Sequence, residues 1–127
     1  MINGLKSEFL MDHFAELTPT TGQITFWIQD TVVARTTRAM CLRETVGTRN
    51  LPPIMYFPIE DLNKKLLAPS EKTTYCPLKG EAHYWHLKLN GVLIKDLIWY
   101  YPDPKKAVKS IHGYTACAPE VINMECD

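Results

Sequence analysis

Between Thr73 and Trp85 the chain reads TTYCPLKGEAHYW, which places a thiol, an amine, an imidazole and several aromatic rings within thirteen positions. Cys76 could act as a nucleophile, with Lys79 three residues on across a tight turn supplying a cation that lowers the thiol pKa or holds an anionic group. His86 or His83 would then be its base. The same residues also have a plainer reading. Cys76 is then a small buried hydrophobe, and Lys79 stands in solvent beside a glycine required by the backbone.

Several kinds of chemistry lack their sequence pattern. CPLKGEA has a single glycine, so it is no Walker loop, and no GxGxxG occurs to cradle a dinucleotide. Cysteines stand at 41, 76, 117 and 126 without a CxxC, and histidines at 13, 83, 86 and 112 without HExxH. We therefore expect free thiols, no metal and no cofactor; a metal site would have to be assembled entirely by the fold. Among the carboxylates, Asp61 suits a helix start and Asp103 a turn between prolines. Glu44, at a strand end, could form a charged cleft floor with Lys79 and Arg49, either for ligand binding or as a structural ion pair.

The elements that must position these groups are mostly strands. QITFWIQ alternates Ile24, Phe26 and Ile28 against Thr25 and Trp27, and TVVAR, RAMCLRE and IMYF continue as short strands. AHYWHLKL and VLIKDLIWYY flank Asn90-Gly91, the strongest hairpin signal in the chain. Alternation puts Trp85, Leu87 and Leu89 on the core face and Ala82, Tyr84 and His86 on the other, where a tyrosine would suit a cleft wall. Trp99 and Tyr101 alternate with Tyr100 on the partner strand. Short helices are expected over 9–17, where Phe9, His13 and Leu17 have helical spacing, over 59–68 behind Pro58, and at KKAVKSI.

The 127 residues suffice for one domain, 46% apolar and 22% charged, as in a folded soluble protein. We expect a single domain over 1–127, with 1–22 as a helical extension. Fourteen basic residues balance fourteen acidic ones, so the field that draws proteins to nucleic acid or to anionic membranes is missing, and neither partner is expected. The first residues lack a signal-peptide pattern, which makes the cytoplasm the expected location.

The stretches YFPIEDLNKKLLAPSEKTTYCPLKGEAHYW and IWYYPDPKKAVKSIHGYTAC resemble the DUF427 family. The resemblance implies a mainly β fold, with two antiparallel sheets in a β-tent and two or three short helices. It also implies a nucleotidyltransferase-like label of no established chemistry. The family pattern falls on Glu44, Pro58, Asp61, Thr74, Cys76, Lys79, Gly80, Ala82, Tyr84, Trp99, Tyr101, Pro104, Gly113 and Tyr114. In two places the chain departs from it. Arg35 replaces an aspartate common in the family, and TACA replaces a bulky aromatic pair after Gly113 and Tyr114, so one wall of any shared pocket is altered.

Three function classes follow. A binding domain for a small anionic or nucleotide-like molecule would draw its ligand-binding residues from Glu44, Arg49, Cys76, Lys79, Tyr84, His86 and Tyr101. An enzyme would use Lys79, Glu44 and Cys76 in a reaction the chain does not identify. A protein-interaction module, or a homodimer, would instead expose the aromatic residues as a flat patch. Whether those aromatics converge on a cavity decides between the first class and the last.

Overall fold

The computed structural model describes residues 13–127. In chain order the strands are β1 (His13–Pro19), β2 (Ile24–Ile28), β3 (Thr31–Thr36), β4 (Met40–Val46), β5 (Arg49–Asn50) and β6 (Ile54–Pro58). They continue as β7 (Leu67–Cys76), β8 (Gly80–Leu89), β9 (Val92–Tyr100), β10 (Tyr114–Cys117) and β11 (Asn123–Cys126). The larger sheet runs β1-β4-β6-β10-β9-β8-β7, with β5 attached to β4, and the smaller runs β11-β2-β3. All of these pairings are antiparallel. The fold is thus mainly β with two antiparallel sheets, as the alternating apolar pattern requires.

The central strands of the larger sheet are covered on both faces and supply both cores by alternation. Phe57 points toward the smaller sheet, where its ring centroid lies 4.7 Å from that of Phe26. Ile28, Val33, Leu87, Leu89, Ile98 and Cys117 fill the rest of this core. The neighbouring Tyr56 points the other way, joining Leu42, Ala82, Tyr101, Val108, Ile111 and Ala116. A 3-10 segment at Lys106–Ile111 contributes Val108 and Ile111 to that second core.

The hairpin at Asn90-Gly91 forms as its turn residues demand, with Leu89 facing Val92 and both turn residues at positive φ. Further along, Trp85 faces Ile98 while Leu87 faces Ile94, so β9 bulges between them. Asp96 sits in that bulge at φ 55°. Its carboxylate accepts from Ser70, and its N–H donates to His86 Nδ1 at 2.9 Å.

The helical expectations are corrected. Residues 9–12 of the expected first helix lie outside the described residues, and the rest of it belongs to β1, which pairs with β4 from His13↔Val46 to Pro19↔Met40. The helix expected over 59–68 is only two 3-10 turns, Ile59–Asp61 and Lys64–Leu66, leading into β7. Between them, buried Leu62 bridges to Ala34, and the Asn63 N–H donates to the Val33 carbonyl at 2.8 Å. Tying the chain to β3 there interrupts the helical hydrogen-bond ladder after one turn. KKAVKSI is likewise a 3-10 segment rather than an α-helix.

Candidate functional site

The stretch from Thr73 to Trp85 is the β7–β8 hairpin: Cys76 ends one strand, Gly80 begins the next, and the two residues face each other. Gly80 has φ +110°, and a Cβ there would meet the Asp103 carbonyl oxygen at 3.3 Å, so the glycine serves both turn geometry and close approach. The Lys105 N–H donates to the Lys79 carbonyl at 3.0 Å, which fixes the turn against the following loop. Lys79 is thereby aimed inward. It does not stand in solvent.

Its ammonium donates to Glu44 Oε1 at 2.7 Å, while His13 Nε2 lies 2.7 Å from Glu44 Oε2. The Glu44 and Lys79 side chains are only 11% and 12% exposed, so this ion pair is largely removed from water. Burial raises the Glu44 carboxyl pKa, but the hydrogen bonds and charges of Lys79 and His13 more than offset it, and the net shift is downward. For Lys79 burial pulls the other way, yet the hydrogen bond to Glu44 and the charge of that carboxylate hold the amine above its ordinary value. Both partners are therefore charged at neutral pH.

Phenols wall the pair. The Lys79 ammonium lies 5.7 Å from the Tyr101 ring centroid, and the Tyr56 hydroxyl accepts the Trp99 indole N–H at 3.2 Å. Burial pushes the Tyr56 and Tyr101 phenols well above their usual range, so both stay protonated and available as donors. Tyr84 packs against the same core, its hydroxyl 2.8 Å from Thr74 Oγ1 and its ring under Lys72 at 4.8 Å. Cys76 completes the cluster, with a ligand atom each from Cys76, His13 and Glu44 all within 4.8 Å of one another.

Of the residues singled out from sequence, the fold brings together Glu44, Cys76, Lys79 and Tyr101, with Tyr84 on the same face. It does not bring in Arg49 or His86. Arg49 is exposed on the two-residue strand β5. His86 lies six residues along β8 from Gly80, about 20 Å at the rise of a strand, and is engaged by Asp96. His83 is half-buried and hydrogen-bonded to Glu81 at 2.8 Å. The imidazole beside Cys76 is instead that of His13, which the helical reading of 9–17 concealed. Its signal was the alternation of His13, Ala15 and Leu17.

Glu44 itself borders one hollow, with Ala15, Arg43 and Leu51, but the aromatic residues line another. A cavity of about 280 Å³ is lined by Ile59, Trp85, Tyr100, Tyr101, Tyr114 and Thr115, among others. Trp85 and Tyr100 stack at 6.1 Å with planes 25° apart. They belong to the face of β8 and β9 opposite Tyr84 and Trp99, which are themselves cross-strand partners. Of TACA only Thr115 lines the cavity; Ala116 and Cys117 are buried in the two cores. Exposed Arg35 does not reach the cavity: it borders a separate hollow beside Asp61 and Asn63.

Among the described residues no helix is long and apolar enough to cross a membrane. A family profile described as a domain of unknown function (DUF427) matches residues 16–127. No curated protein matches the chain.

Proposed function

We propose that this chain, which belongs to the DUF427 family, is a small-molecule-binding domain whose ligand combines a planar ring with an acidic group. The observation that supports this reading is the convergence of Trp85, Tyr100, Tyr101 and Tyr114 on one cavity, where a protein-interaction module would spread them flat. Tyr101 links the cavity to the polar cluster, because it lines the first and lies against Lys79 of the second. An acidic group at the Tyr101 end would meet the Lys79 ammonium, for which it competes with Glu44. Stacking on Trp85 or Tyr100 would hold the ring.

A second reading, an enzyme, is favoured by one observation: Cys76 lies beside both His13 and Glu44. It would pair the thiol with an imidazole that Glu44 orients. The β-tent arrangement of the sheets, a cytoplasmic location and the lack of a nucleic-acid partner remain part of the proposal. So does a homodimer, for which β7, at the end of the strand order, offers an edge.

A thermal-shift screen against nucleotides, sugar phosphates and aromatic carboxylates tests the binding reading. We expect stabilisation by a compound with both a ring and an acid, lost in Trp85→Ala and weakened about tenfold or more in Lys79→Met. Binding that survives Trp85→Ala would move the ligand out of the cavity. No shift with any of these classes would reject the reading, and time-dependent covalent capture that requires Cys76 would favour the enzyme.

A further inference from the structure

The linear spacing of the cysteines and histidines offers no metal site, yet three strands far apart in sequence deliver one ligand each to a single point. His13 comes from β1, Glu44 from β4 and Cys76 from the end of β7. Their ligand atoms lie within 4.8 Å of one another. A tetrahedral centre with bonds of 2.0–2.3 Å needs its ligand atoms about 3.3–3.8 Å apart, so the trio must contract by roughly 1.5 Å at most. The His13–Glu44 pair, at 2.7 Å, must open slightly. Both are side-chain adjustments.

We propose that His13, Glu44 and Cys76 form a zinc site with three protein ligands and one open coordination position. A thiolate and an imidazole beside a carboxylate suit a borderline-soft ion and disfavour calcium and magnesium, which take oxygen ligands. One thiolate is too few for an iron–sulfur cluster. Glu44 is oriented as a ligand should be: Oε1 accepts from Lys79, leaving Oε2 turned to His13. Lys79 brings a like charge, which the thiolate and the carboxylate together outweigh. Binding exchanges the His13–Glu44 hydrogen bond for metal bonds from all three side chains: the imidazole proton moves from Nε2 to Nδ1, the Cys76 thiol proton goes to solvent, and affinity rises with pH. His13, in the part of β1 that precedes the residues matching the family, completes the set.

The proposal goes beyond the ligand reading and does not rest on it, since the titration uses metal alone. Protein freed of any affinity tag and dialysed against chelator is titrated with zinc in competition with a chromophoric chelator, and in parallel with cobalt as an optical probe. We expect one zinc per chain, bound more tightly than micromolar, and a sulfur-to-cobalt charge-transfer band. His13→Ala and Cys76→Ser should each weaken zinc at least tenfold, and Cys76→Ser should abolish the band. Cys126→Ser, which alters an exposed thiol, should change neither. Circular dichroism establishes that each variant is folded; if Cys76→Ser is not, His13→Ala decides alone. Binding unaffected by His13→Ala, binding lost in Cys126→Ser, or no stoichiometric binding would each overturn the assignment.

Discussion

Replacing Glu44 by Ala is expected to lower stability by about 3–5 kcal/mol, measured by urea unfolding at neutral pH. The change leaves the Lys79 ammonium nearly buried with no carboxylate beside it, and removes the acceptor that His13 uses. Most of the loss is the cost of an orphaned charge. The double variant Glu44→Ala, Lys79→Met should therefore be clearly more stable than the sum of the two single losses predicts. An additive result would mean that the pair is not coupled in solution. The wild-type protein should also lose stability in acid. The Glu44 carboxyl is held below its ordinary 4.5 in the fold, so its contribution is complete above about 4.5 and disappears as the pH falls through the lower folded value. Glu44→Ala should flatten that part of the profile.

Phe57→Ala is expected to cost about 3–5 kcal/mol by the same measurement. Phe57 is fully buried, and its ring packs on Phe26 where the two sheets meet. Its removal opens a cavity between two surfaces held apart by their own backbones, so little collapse can relieve it. Phe57→Leu keeps most of the apolar volume and should cost markedly less. Equal losses for Ala and Leu would show that the aromatic ring, and not volume, matters at that contact.

The strands were legible because their alternation is local and each has one dominant face. Ile24, Phe26 and Ile28 could point only one way, and Asn90-Gly91 fixed the register of its hairpin. The first helix was misread because His13 and Leu17, four apart, satisfy a helical face and a strand face equally. Only pairing with β4, some thirty residues on, decides between the two. The signals at 58–62 were sound as a helix start, but the bridge from Leu62 to Ala34 ended the turn. Within the site, Glu44 and Lys79 could be paired by chemistry alone. His13 could not, since its place beside Cys76 exists only once three strands are in register.

The order of strands also bears on how the chain is made. β10, residues 114–117, lies between β6 and β9 in the larger sheet, and β11 closes onto β2 with Cys126 opposite Ile24. An elongating chain emerging from the ribosome can thus form the Asn90-Gly91 hairpin early, but it cannot complete the larger sheet before β10 is free, nor the smaller before β11 is. Until then Phe26, Phe57 and the edges of β6 and β9 lack their neighbours, which makes the nascent chain a client for chaperones that shield apolar strands. Stalling translation before β10 and β11 have left the exit tunnel should leave a protease-sensitive, aggregation-prone species, where a stall after both are free does not.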